Sequence, residues 1–129
     1  MSLVVPNVGE DRALTKILTD ALTLKLYSNN VTPGEADTSA SYTEVSGGGY
    51  ASKSLTLANW GIIDGVALYN AVQSFSFTGA TAAPSVIYGY YVVDASNVLC
   101  WAERFVESVV PFTPVNGSII YLTPRFTAS

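Results

Sequence analysis

Residues 85–105 constrain the fold more than any other stretch. Ser85-Val86-Ile87-Tyr88-Gly89-Tyr90-Tyr91-Val92-Val93 is β-branched or aromatic almost throughout. That composition suits a strand buried on both faces. Asp94-Ala95-Ser96-Asn97 is a cluster of turn formers, and Val98 to Phe105 reads as the return strand of a hairpin.

Shorter strand signals surround this hairpin. Leu22-Thr23-Leu24-Lys25-Leu26-Tyr27 alternates apolar with polar until its end. A loop rich in turn formers follows from Ser28 through Ser39, and Tyr42-Thr43-Glu44-Val45 reads as a short extended piece. Gly47-Gly48-Gly49 reads as a flexible joint. Ser54 to Leu57 alternates again, and Asp64-Gly65 is a hairpin turn signal before Val66 to Tyr69. Val72, Phe75 and Phe77 do not share one alternation, which suggests a bulge near Gln73-Ser74. Ser118 to Leu122 is the last expected strand, and Pro124 limits pairing beyond it. Six to eight strands at intervals of 10–15 residues therefore follow one helix. The expected fold is mainly β: an antiparallel sandwich or barrel-like domain with one short N-terminal helix.

The helix signal lies in Leu14, Ile17, Leu18, Ala21 and Leu22, which repeat at i, i+3, i+4, i+7 and i+8. Glu10 and Asp11 precede them and suit the positive end of the dipole. This predicts a helix from about Asp11 to Asp20 or Ala21, with Lys16 and Asp20 as a weak i, i+4 pair. Residues 1–9 read as an apolar arm and residues 10–129 as a single β-rich domain.

Composition narrows the function. Six lysines and arginines stand against ten aspartates and glutamates, so charged residues make up 12% of the chain. An average globular protein has roughly 25%. A surface so short of charge suggests that other protein covers much of it. The formal net charge of −4 and the scattered cations argue against nucleic-acid binding. Without histidine, Ser-His-Asp and Cys-His mechanisms are absent, along with the usual general base. One cysteine, Cys100, rules out an internal disulfide and reads as a small buried hydrophobe. No targeting segment and no membrane helix are visible, and the sequons at Asn30 and Asn116 read as loop chemistry.

Several clusters deserve weighing against catalysis or ligand binding. The carboxylates Glu103/Glu107 and Glu35/Asp37 read as solvated charges. Glu103 lies between Trp101 and Phe105 on its strand face, which suggests a partner such as Arg104 of a neighbouring subunit or Arg125. A hydrolase built on Glu103 and Asp64 is the weakest alternative. Glu35, Asp37 and Glu44 lack calcium-loop spacing, and Gly47-Gly48-Gly49 lacks phosphate-loop spacing. No cofactor or metal is expected. Tyr88, Tyr90, Tyr91, Trp101 and Phe105 form an aromatic patch that reads as core or subunit interface. An adhesion or carbohydrate-binding module using Tyr90, Tyr91 and Trp101 is the rival class.

The chain also carries a family resemblance. Leu24-Lys25-Leu26-Tyr27-Ser28-Asn29-Asn30-Val31-Thr32-Pro33 leads to Tyr42-Thr43-Glu44-Val45, then to Gly48-Gly49-Tyr50-Ala51, Leu55-Thr56 and Trp60. Ile87-Tyr88-Gly89-Tyr90-Tyr91-Val92 later precedes Leu99-Cys100-Trp101-Ala102-Glu103-Arg104-Phe105. This order, over roughly residues 22 to 105, resembles small structural proteins of tailed bacteriophages, several of them head decoration or cement-like proteins. The resemblance implies a non-enzymatic β-rich module on the capsid surface, bound to the major capsid protein as a symmetric oligomer, with a trimer favoured. A tail component is the alternative within the virion. Apolar residues near the two ends nominate the contacts: Leu3, Val4, Val5 and Pro6 in the arm, and Tyr121, Leu122 and Phe126 in the last segment.

Overall fold

The computed structural model describes residues 4, 6–19, 21–64, 66–69 and 71–127. Helix α1 spans Asn7–Leu18. Nine strands follow among the described residues: β1 Leu22–Tyr27, β2 Lys53–Leu55, β3 Trp60–Ile63, β4 Val66–Tyr69, β5 Gln73–Ser76, β6 Gly89–Val93, β7 Leu99–Arg104, β8 Ile119–Leu122 and β9 Arg125–Thr127. They form a four-stranded sheet ordered β2-β1-β6-β7, a three-stranded sheet β3-β4-β9 and a two-stranded sheet β5-β8. Every pairing is antiparallel. The mainly β, sandwich-like expectation with one short helix holds.

The helix starts four residues earlier than its periodicity suggests, taking Asn7-Val8-Gly9 out of the expected arm. Pro6 sits at its N-cap with φ −66°, and the first four N–H groups of any helix lack intrahelical acceptors. It ends at Leu18 rather than Asp20 or Ala21, because Leu22 belongs to β1 opposite Leu55. Leu14 and Leu18 are fully buried, whereas Ile17 is 37% exposed, so the buried stripe is narrower than expected. α1 lies on β3 and β4. The expected Lys16–Asp20 pair lies partly outside the described residues, since Asp20 is not among them.

Strand β6 is buried at all five positions and lies between β1 and β7. Its alternation sends side chains into two separate cores. Tyr90 and Val92 join the main one with Leu22, Leu24 and Leu26 of β1. Tyr91 and Val93 join a smaller one with Tyr27 and Tyr42. The last residue of β1 breaks its alternation because Tyr27 serves this second core. Gly89 is required there: a Cβ would meet the Glu103 carbonyl oxygen and come within 2.7 Å of the Tyr27 ring.

The second core is roofed by the loop from Ser28 to Val45. Asn29 fixes that loop from both sides of its amide. Its Nδ2 donates to the Ser41 carbonyl at 2.9 Å, and its Oδ1 accepts the Thr43 N–H at 2.9 Å. Arg104 of β7 donates to Asn30 Oδ1 at 2.8 Å. The piece at Tyr42–Val45 is held by an isolated bridge between Glu44 and Tyr27 rather than by a full strand.

Three further expectations change. No bulge disturbs β5, which pairs with β8 in unbroken register from Gln73–Leu122 to Ser76–Ile119. The alternation regularises once Val72, 60% exposed, is left outside the strand. The register shifts instead between β6 and β7, where Cys100 of β7 is the extra residue opposite Val92 and Val93. Gly47-Gly48-Gly49 is not a loose joint: Thr78 N–H donates to the Gly48 carbonyl, and Ala82 N–H to that of Ser46, each at 2.8 Å. Pro124 does not end pairing, since Tyr69 N–H donates to its carbonyl at 2.9 Å and β9 continues beside β4. Proline removes a donor and leaves the acceptor.

Candidate functional site

Two sheet edges define the most distinctive surface. β7 pairs only with β6, and β8 pairs only with β5, so each offers one open edge among the described residues. The end of β7, at Glu103 and Arg104, and all four residues of β8 line a common groove of about 380 Å³. Phe105, Phe112, Ile120 and Leu122 contribute to its walls. All four are half-buried hydrophobics resting on the main core. The hydrophobic run in this part of the chain has more apolar side chains than the core accepts, and the excess stays outside.

That excess forms the groove's rim. Val106 is 65% exposed, Val109 43%, Ile119 44% and Tyr121 65%, and all four line the same groove. Ile119 and Tyr121 stand opposite Ser76 and Ser74, on the outer face of the β5–β8 sheet. Single exposed hydrophobics are ordinary on protein surfaces, whereas contiguous ones mark contact sites.

One polar pair lies in the groove. Tyr90 Oη donates to Glu103 Oε1 at 2.8 Å, across a pair of residues directly opposite each other on β6 and β7. Burial pushes the Tyr90 phenol above its ordinary range, and the Glu103 carboxylate raises it further by favouring the protonated form. Within the chain, Glu103 thus pairs with a tyrosine rather than with Arg125. Arg104 is itself engaged within the chain. It lies 3.4 Å from Glu107, bonds to Asn30 and Val31, and stacks its guanidinium over the Tyr88 ring at 5.1 Å.

The other nominated residues scatter. Tyr121 and Leu122 line the groove. Phe126 is half-buried in the chain's own core, stacked on Trp101 with centroids 4.5 Å apart. Val4 and Pro6 are exposed; Leu3 and Val5 lie outside the described residues. The rim residues Val106 and Val109 carry no signal in the sequence, because nothing in Phe105-Val106-Glu107-Ser108-Val109 distinguishes a valine on the surface from one inside.

Other candidate clusters are taken up by local bonds. Asp37 Oδ2 accepts the Tyr42 hydroxyl at 2.7 Å and the Gly34 N–H at 2.9 Å. Those hydrogen bonds hold its carboxyl below the ordinary value. Glu44 accepts the Tyr50 hydroxyl at 2.8 Å and lies 3.6 Å from Lys25 Nζ. Among the described residues no group of three His, Cys, Asp or Glu side chains converges as metal ligands would. Asp64 is in the β3–β4 turn with φ 52° while Glu103 is on β7, so the two stand on different sheets. Tyr90 and Tyr91 are 5% and 4% exposed, so neither ring offers a face on which a sugar can stack.

No protein-family model matches the chain, and no curated protein or solved structure is significantly similar to it.

Proposed function

We propose that this chain is a non-enzymatic virion structural protein, a decoration or cement protein on the head of a tailed bacteriophage. It bridges neighbouring subunits of the major capsid protein. The observation that carries this reading is the set of exposed apolar residues Val106, Val109, Ile119 and Tyr121 that line one groove, the β7–β8 groove. A rim of this kind on a chain with 12% charged residues is suited to contact with protein. The resemblance over residues 22 to 105 supplies the partner.

Mechanically, such a protein works by repetition. A standard interface buries about 1,600 Å², and apolar burial contributes roughly 25 cal/mol per Å² before the costs of association. One such contact is modest. A lattice of them opposes the outward pressure of packaged DNA at every position at once. The buried cores above and below β6 suit that role, because a clamp transmits load only if it does not deform.

The test is co-sedimentation with capsid shells assembled from the major capsid protein of the same virus. Saturable binding at a fixed number of copies per shell supports the reading. Absence of binding to mature and immature shells alike overturns it.

A further inference from the structure

We propose that the β7–β8 groove receives residues Leu3–Pro6 of a second copy of this chain, so that copies are linked by exchange of the segment preceding α1. This rests on reading the chain as a contact protein and does not depend on which lattice that protein decorates; the segment takes the groove itself, and Ile119 and Tyr121, on the outer face of the β5–β8 sheet, remain for the capsid.

Four observations choose this occupant. The groove is lined by all four residues of β8, whose second edge is open, and by the end of β7, and an extended segment laid along β8 finds backbone partners as an added strand does. β8 is four residues long, and Leu3-Val4-Val5-Pro6 is four residues. At roughly 3.3 Å per residue each spans about 13 Å. Met1 through Val8 carries no charged side chain, which suits a groove whose two charged groups are already engaged within the chain, Glu103 by the Tyr90 hydroxyl and Arg104 by Glu107, Asn30 and Val31. Finally, Val4 is 76% exposed and Val8 80%, so Val4 is not seated in the groove of its own chain. Exposed Val4 and Pro6 and an apolar groove are thus both present on one molecule.

Pro6 limits the register. It lacks an N–H and cannot extend a ladder through its own position, so the inserted strand ends there and α1 begins at Asn7. Donation from one copy to the groove of the next is a head-to-tail contact, and such contacts close into a ring when the rotation permits.

Sedimentation velocity without shells tests the proposal. The full chain is expected to form one closed oligomer, and a variant lacking residues 2–6 to sediment as a 13-kDa-class monomer, close to the 13.7 kDa of the chain. Val109→Asp, at an exposed position on the rim, keeps the donor segment and is also expected to give a monomer. A fluorescent peptide of residues 1–7 should bind the deleted variant and lose at least tenfold in affinity when Val109→Asp is added. A full chain that is monomeric, or an oligomer unchanged by the deletion, overturns the exchange. So does a peptide that binds both variants equally. Shell binding is scored separately: a monomeric full chain that still co-sediments with shells overturns the exchange and leaves the capsid reading intact.

Discussion

Trp101 and Phe126 stack with ring centroids 4.5 Å apart and planes 8° from parallel. This contact joins β7, the edge of the four-stranded sheet, to β9, the edge of the three-stranded sheet. Trp101 also meets Trp60 of β3 edge-on at 6.1 Å. The aromatic residues that suggest an interface in the sequence thus largely hold the chain's own sheets together.

Phe126→Ala is therefore expected to act on folding first. A fully buried phenylalanine costs about 3–5 kcal/mol when truncated to alanine. Phe126 is half-buried, so a loss of about 2–3 kcal/mol is expected in urea or guanidinium unfolding. An unchanged midpoint combined with a weakened oligomer would instead place Phe126 at a subunit boundary.

Gly89→Ala should be more severe. The added methyl meets backbone on one side, the Glu103 carbonyl, and the Tyr27 ring on the other. Neither is the free end of a flexible side chain, because Tyr27 is fully buried and its hydroxyl donates to the Val31 carbonyl at 3.1 Å. A destabilisation of about 3 kcal/mol or more is expected, at the upper end of overpacking effects. Thermal unfolding checks it, and a melting temperature equal to that of the unmodified chain contradicts it.

The tyrosine core sets an alkaline limit. Burial pushes the Tyr27 and Tyr91 phenols up to about 12, against an ordinary value of 10.0. For Tyr27 the nearby Arg104 charge opposes that rise. The folded state therefore holds these protons more tightly than the unfolded state. Their contribution is complete below pH 10 and is lost as pH rises through 12. Denaturant midpoints measured from pH 8 to 12 should be flat at first and then fall steeply above 10. Phenolate absorbance should rise together with unfolding. Ionisation of these phenols near pH 10 in a chain that stays folded contradicts the account.

Much of this architecture is legible in the residues. The expected strand from Ser85 to Val93 shortens to β6, Gly89–Val93, because Ser85 has a positive φ of 61° and Ile87 makes only an isolated bridge to Phe112, but β6 is buried throughout as its composition suggests. Leu22, Leu24 and Leu26 declare one face of β1. The rest depends on tertiary pairing that local pattern does not carry. Arg125-Phe126-Thr127 is too short to announce a strand, and it becomes one because β4 offers an edge. Asn7-Val8-Gly9 lacks helical periodicity, yet it joins α1 behind Pro6. The groove is half legible: Tyr121 and Leu122 stand out as apolar residues, but their meeting with Val106 and Val109 depends on how the chain after β7 folds back beside β8.

The most direct test of the central claim replaces the rim itself. Tyr121→Asp with Ile119→Lys changes two exposed side chains on the outer face of β8, where surface substitutions usually move stability by no more than about 0.5 kcal/mol. The doubly substituted chain should fold with an unchanged far-ultraviolet spectrum and a nearly unchanged melting temperature. In co-sedimentation with capsid shells its occupancy is expected to fall at least tenfold relative to the unmodified chain. A folded double variant that fills the shells to the same occupancy would contradict the claim that this apolar face makes the contact.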